Sequence, residues 1–174
     1  MVEPKFSIII PVYNAEQTIT KTINVLKEMP TSNFEVLLIN DGSSDNTKKV
    51  IEDCISSDSR FFLFSKKNGG PGPARNFGIE HAKGDYLLFF DADDFPNKTI
   101  LEDYADIISK NSNLDLIISS FIFRTLNQVK LADEKEYLVE EYFYTSNEAF
   151  LLDMYKLMNQ QLMYVVWNKC YRRD

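Results

Sequence analysis

The stretch 87-LLFFDADDFP-96 decides how the chain is read. Four apolar residues run without interruption into Asp91, Asp93 and Asp94, three carboxylates within four positions. A half-buried strand would alternate polar and apolar residues, so a short continuous apolar run predicts a strand covered on both faces. Carboxylates this close together raise one another's pKa unless a cation or hydrogen-bond donors compensate. The segment is therefore a buried strand that ends where like charges must be held.

Three further runs share that pattern: "FSIIIPV" (Phe6 to Val12), "FEVLLIN" (Phe34 to Asn40) and "FFLFS" (Phe61 to Ser65). The fourth, "DYLLFF", covers Asp85 to Phe90. Between them lie helical patterns. Ile19, Ile23 and Leu26 stand at helical spacing, which predicts a helix over Ala15 to Met29 with Asn14 as its N-cap. "TKKVIEDCIS" is a second helix, capped by Ser44 or Asp45. A third carries Pro73 in its first turn and runs to about Lys83, with Gly84 ending it. A fourth spans Lys98 to Lys110, and "LDLIISSF" is a fifth strand. Strand and helix alternate to about residue 120. This predicts an α/β fold with a mostly parallel central sheet flanked by helices.

Past residue 120 the alternation loosens. "FIFRTLNQVKLADEKEYLVEEYFY" reads as strands with polar turns, a small antiparallel element. "TSNEAFLLDMYKLMN" is a helix capped by Thr145 or Ser146, and "MYVVWNKCYRRD" begins apolar and ends basic. The expected organisation is a single domain over residues 1–174, divided at about residue 120.

Composition narrows the function classes. A length of 174 residues suits one domain, and 44% hydrophobic residues with 13 Phe and 9 Tyr supply a core. A net charge of −7 argues against nucleic acid as a partner, although a divalent cation can still bring phosphates to an acidic protein. Cys54 and Cys170 lack metal-ligand spacing and read as free thiols in a reducing compartment. The single histidine, His81, lies late on a helix and is expected in a solvated or helix-end role. No signal peptide is visible, and no apolar run approaches the about 20 residues of a membrane span. The expected location is cytoplasmic, with peripheral attachment at the inner face of the plasma membrane left open.

In an open α/β sheet, ligands sit beyond the carboxyl ends of the strands, so the segments that follow the strands carry the chemistry. These are "PVYNAE", "NDGSSD", "SKKNGGPGPARN" and "DADD". Oxygen-only ligands such as Asp91 and Asp93 select a hard ion, Mg²⁺ or Mn²⁺. A purely structural alternative is a polar loop with Asp94 capping the next helix. Asp41 can accept from a ribose hydroxyl or a base N–H, or can simply open an Asp-Gly turn. Tyr13 can stack on a base or pack at the strand end. The glycine-rich loop matches neither G-x-G-x-x-G nor G-x-x-x-x-G-K-[ST]. Its helix start and Arg75 favour anions, and Arg75 can equally pair with Asp91 or Asp93.

Taken together, these segments resemble the family-2 glycosyltransferases with the A-type nucleotide-diphospho-sugar transferase fold. The resemblance rests on "FSIIIPVYNAEQTI", "FEVLLINDGSSDNT" and "NGGPGPARNFGIEHAKGDYLLFFDADD", in that order, over about residues 5 to 100. The terminal "WNKCYRR" is similar to a later segment of bacterial members that build surface polysaccharides. The resemblance implies a nucleotide-sugar-binding half over 1–120 and the start of an acceptor-side half over 121–174. It implies that Pro11, Val12 and Tyr13 line a base pocket, with Glu16 close to the nucleotide and Asp41 on the base or ribose. Asn68 and Gly70 would flank nucleotide and sugar, with Arg75 held near the acids. Asp91-Ala92-Asp93 would be the D-x-D motif, Asp91 toward the ribose and metal water and Asp93 on the metal, with Asp94 near the donor sugar.

The implied activity is inverting transfer of a hexosyl or N-acetylhexosaminyl group. The donor would be a nucleotide-diphospho-sugar, with uridine as the expected base. The acceptor would be a glycan or lipid-linked hydroxyl. In this family the base is a later Asp, often in a Glu-Asp pair. No such pair follows "WNKCYRR", which implies an N-terminal portion whose base lies beyond Asp174. The alternative is a nucleotide-sugar-binding fragment without turnover. Exposed aromatics in "YFYTS" and "MYVVW" would then favour a homo-oligomer. A phosphatase of the haloacid-dehalogenase type would carry its D-x-D after the first strand rather than the fourth. An NAD-binding oxidoreductase would need the missing G-x-G-x-x-G.

Overall fold

In the computed structural model, residues 5–111, 114–127, 130–139 and 142–173 are described. The chain divides into two compact units, Met1–Leu116 with Cys170–Asp174, and Ile117–Lys169.

The first unit is built on four parallel strands: β1 (Phe6–Val12), β2 (Phe34–Asp41), β3 (Phe61–Lys66) and β4 (Tyr86–Phe89). Every residue of β2 is buried, and so is β1 apart from Pro11, as continuous apolar runs require of central strands. The helices are α1 (Ile19–Lys27), α2 (Thr47–Ile55), α3 (Pro71–His81) and α4 (Ile100–Lys110). Helix α1 buries Ile19, Thr22, Ile23 and Leu26, and α4 buries Leu101, Tyr104 and Ile108, one stripe on each. The sheet order is β3-β2-β1-β4-β8-β5, where β5 is Leu116–Ile118 and β8 is Lys169–Arg172. The strand sequence runs outward from β1 to β3 and then restarts on the other side of β1 with β4. That reversal is where open α/β sheets form a crevice.

At the amino ends of the strands the sheet is closed by a buried polar knot. Ser7 Oγ donates to Glu35 Oε1 at 2.6 Å, as does the Lys83 amide at 2.6 Å, and the Gly84 amide donates to Ser7 Oγ at 2.8 Å. Both Ser7 and Glu35 are buried. A Cβ on Gly84 would stand 2.6 Å from the backbone of Phe6 and Ser7, so only glycine passes here.

The second unit holds an antiparallel pair, β6 (Phe121–Asn127) and β7 (Lys130–Tyr137), and α5 (Asn147–Asn159). The cap of α5 is Ser146, whose Oγ accepts from the Ala149 amide at 3.1 Å. Phe121 stacks on Tyr137 and meets the Trp167 ring edge-on at 4.6 Å. Lys169 is buried, and its Nζ donates to the carbonyls of Leu162 and Val165 and to Asn168 Oδ1. Burial lowers its pKa to about 8.

The α/β architecture and the small antiparallel element agree with the sequence expectation, while several boundaries move. Helix α1 begins at Ile19 rather than Ala15, because residues 14–16 are bonded elsewhere. Helix α3 begins at Pro71, since a proline at the first helical position sacrifices no intrahelical bond; Pro73 lies in its first turn as expected, and the helix ends at His81 rather than about Lys83. Strand β4 is shorter than Asp85 to Phe90 at both ends, and α4 starts at Ile100 rather than Lys98. The expected strand over residues 114–121 is confined to Leu116–Ile118, and β6 starts at Phe121. The basic tail forms β8, antiparallel to β4, with Cys170 opposite Leu88. Cys170 is buried, which pushes its thiol up to about 12, and both cysteines are free. His81 ends α3, with Nδ1 2.8 Å from the Phe77 carbonyl and its ring stacked on Phe77. No helix among the described residues is long and apolar enough to cross a membrane.

Candidate functional site

Parallel strands deliver their following segments to one edge, and an open pocket of about 350 Å³ lies there. Its lining comes from the carboxyl ends of all four parallel strands: Pro11 and Val12 at the end of β1 with Tyr13 after it, Asp41 at the end of β2, Asn68, Gly70 and Pro71 after β3, and Asp91 after β4. Seven of these were singled out by sequence reasoning. Pro71 was missed, because it read as loop punctuation. Val12 is buried, whereas Tyr13 is 55% exposed and so is available to stack against a planar ligand.

Asp41 forms the floor. It is 2% exposed, and its carboxylate collects donors from two directions. Lys66 Nζ reaches Oδ1 at 2.6 Å, the Gly69 amide reaches Oδ1 and Oδ2 at 3.1 Å each, and the Gly70 amide reaches Oδ2 at 2.7 Å. Burial pushes this carboxyl's pKa up, but the hydrogen bonds from Lys66, Gly69 and Gly70 outweigh it and hold the group below the usual carboxylate value. Next to it Gly42 has φ +70, a left-handed conformation that favours glycine, and a Cβ there would meet the Asn68 amide at 2.8 Å. The chain after β2 thus packs directly against the loop after β3.

The segments after β1 and β2 are laced together, and this displaces the expected helix start. Asn14 adopts φ +47 and does not cap α1; its Oδ1 accepts from the Ser44 amide at 2.9 Å. The amides of Asn14, Ala15 and Glu16 donate to Ser43 Oγ, Thr47 Oγ1 and Asp45 Oδ2. Glu16 returns the contact, its Oε2 accepting from the Asn46 amide at 2.9 Å. Glu16 therefore sits in this lacing and not among the pocket-lining residues. Neither Ser44 nor Asp45 is the N-cap of α2; that position is Asn46, while Asp45 Oδ1 accepts from the Thr47 amide.

At the end of β4, Arg75 on α3 pairs with Asp91, Nη2 to Oδ1 at 2.7 Å. Arg75 Nε is buried and has no hydrogen-bond partner among the described residues. The Ala92 carbonyl accepts from Thr22 Oγ1 of α1 at 3.0 Å, which pins the middle of the acid turn. Asp94 does not cap α4, whose N-cap is Thr99. Its Oδ2 instead accepts from the Asp91 amide at 2.7 Å and closes the turn on itself. Burial, with added repulsion from Asp91 and Asp93, raises the Asp94 pKa to about 6. Asp93 is exposed, and its carboxylate has no hydrogen bond or ion pair among the described residues.

A four-strand parallel core in the order 3-2-1-4, with a pocket and an acid turn on its carboxyl edge, is an open doubly wound α/β arrangement, and its likeness to the solved structure of S. aureus TarS 1-349 (27% identity, 97% of this chain and 47% of that one, TM-score 0.70) marks it as the A-type glycosyltransferase fold. Residues 7–173 match the family model for Glycosyl transferase family 2, and the chain belongs to that family. It is 40% identical over 131 residues to an uncharacterized glycosyltransferase of Haemophilus influenzae, covering 74% of this chain and 52% of that protein. It is 36% identical over 117 residues to the poly(ribitol-phosphate) beta-N-acetylglucosaminyltransferase TarS of Staphylococcus aureus, covering 66% of this chain and 20% of TarS. The crystal structure of S. aureus TarS 1-349 in complex with UDP-GlcNAc is similar over 97% of this chain and 45% of that one, with 27% identity and a TM-score of 0.65. The chain spans about half the length of the Haemophilus relative.

Proposed function

We propose that the pocket takes a nucleoside diphosphate sugar, with uridine as the base, and that the family chemistry performed there is transfer of the sugar, with inversion, to a hydroxyl of a glycan or lipid-linked acceptor. The observation that carries this reading is the single edge on which Tyr13, Asp41, the 68–71 loop and Asp91 meet. The TarS crystal structure with UDP-GlcNAc supports uridine and a hexosaminyl group as the class of donor. Pro11, Val12 and Tyr13 receive the base, and Asp41, Asn68 and Gly70 bound the nucleoside end. Arg75 holds Asp91 at the phosphate end.

A divalent cation fits this chain's donor set. Among the described residues no group of three ligating side chains assembles, and Mg²⁺ ordinarily takes one or two carboxylates and completes its shell with water and substrate phosphate. Among the described residues Asp93 has no partner of its own, and Asp91 shares its carboxylate with one cation, Arg75. These two residues would hold Mg²⁺ or Mn²⁺, which when bound supplies charge neutralisation for a diphosphate leaving group. Asp94 keeps the turn closed by accepting from the Asp91 amide, which fixes the direction in which Asp91 and Asp93 point.

A second reading, donor binding without transfer, is favoured by one feature of the pocket. Asp41 is saturated with donors and Asp91 is paired with Arg75, so neither lining carboxylate stands free to deprotonate an acceptor. A thermal-shift screen of nucleoside diphosphates and their sugars, with and without Mn²⁺, tests the common core. UDP should raise the melting temperature only when Mn²⁺ is present. Absence of any shift with every nucleotide would overturn both readings, and release of UDP from its sugars with added acceptor would separate them.

A further inference from the structure

Lys66, the last residue of β3, is a cation that none of the motifs accounts for. Its Nζ donates to Asp41 Oδ1 at 2.6 Å and to the Lys67 carbonyl at 2.8 Å. One ammonium thereby ties the end of β2 to the first peptide of the loop that leaves β3. On the far side of the same loop, the Gly69 and Gly70 amides donate to the same carboxylate. Asn68 and Gly70, the loop residues that line the pocket before Pro71, are thus set by contacts converging on Asp41.

Lys66 itself does not line the pocket. Its side chain is 20% exposed and its partner's 3%, so this is a largely desolvated contact and not a surface ion pair. A carboxylate has about four lone-pair positions, and Lys66 with the two glycine amides makes four contacts to Asp41. No other side chain is needed to satisfy it. The loop contributes backbone amides alone to this clamp, and Lys66 is the side chain that donates to Asp41 among the described residues, holding it with Gly69 and Gly70 as a fixed acceptor at the pocket floor.

Resting on the nucleotide reading above, we infer that Lys66 is a positioning residue for the nucleoside end of the donor. Acting through Asp41 and the Lys67 carbonyl, it sets the 67–70 loop so that Asn68 and Gly70 stand where a nucleoside meets them. It touches neither base nor phosphate.

The test is calorimetric titration of uridine and of UDP with Mn²⁺ into wild type, Lys66→Met and Lys66→Arg, with urea midpoints recorded for each. Lys66→Met should weaken uridine and UDP by the same factor, about tenfold, the scale of one charge-assisted hydrogen bond. Lys66→Arg keeps the charge and should recover affinity to within about threefold of wild type, whereas a merely structural role would leave the uridine-to-UDP comparison without this pattern. If Lys66→Met does not fold, Lys66→Gln takes its place with the same expectation. Unchanged affinities in the variant would overturn the inference, and so would a loss confined to UDP, which would put Lys66 on the phosphates. A wild-type protein that binds neither uridine nor UDP would overturn the nucleotide reading itself.

Discussion

Strands β2 and β4 both run out into an aspartate on the same edge of the sheet, and the two ends are built in opposite ways. At the end of β2, Asp41 is buried and meets Lys66 and two backbone amides. At the end of β4, Asp91, Asp93 and Asp94 share one turn. Arg75 pairs with Asp91, Asp94 is raised to about 6, and Asp93 is left in solvent. The first carboxylate is complete and belongs to the frame that shapes the pocket. The second group is under-neutralised, and a divalent cation would offset that charge.

The contrast can be broken most forcefully at Asp41. Asp41→Ala strands Lys66 and the two glycine amides, and should lower stability by about 3 kcal/mol in urea unfolding; a cost under about 1 kcal/mol would deny Asp41 its place in the frame. Its pKa is held low in the folded chain. The stability it contributes is therefore present above the unfolded carboxyl value of about 3.9 and is lost as the pH falls through the folded value. Asp41→Asn should flatten that acid limb, read as urea midpoints between pH 6 and about 2.

Gly84→Ala probes the opposite edge. Forcing a Cβ against the Phe6 and Ser7 backbone should cost about 2 kcal/mol in urea unfolding while leaving the midpoint shift produced by UDP and Mn²⁺ intact, which separates the closed amino end from the pocket. Arg75→Met removes the cation paired with the acid turn and should cost about 1.5 kcal/mol, less than Asp41→Ala because the Asp91 side chain is 40% exposed. At the small end, Asp93→Asn removes a carboxylate that has no partner among the described residues and relieves repulsion on Asp94. Stability should stay within about 0.5 kcal/mol of wild type, and a large loss would show that the turn is frame after all.

The parts legible in the sequence are those that one element settles alone. Continuous apolar runs mark β1 to β4, and a parallel sheet sends Tyr13, Asp41 and Asp91 to one edge whatever the loops do. What escaped depends on how loops fold onto one another or onto themselves, which no single element's pattern shows. Asn14 reads as a helix cap, but its left-handed backbone and its bond to Ser44 come from the loop after β2. Asp94 reads as a cap of the next helix, but the turn closes it on Asp91. Lys66 looks like any exposed strand-end lysine until the fold sets Asp41 against it. Strand β8 carries only "KCYR", too short and mixed for periodicity, and becomes a strand because β4 offers it an edge.

The most direct measurement is titration of UDP into wild type and Asp93→Ala, each with and without Mn²⁺. The account predicts binding in wild type that strengthens at least about tenfold with Mn²⁺, and an Asp93→Ala protein on which Mn²⁺ has no effect. UDP binding to wild type that ignores Mn²⁺, or metal dependence that survives in Asp93→Ala, would contradict it.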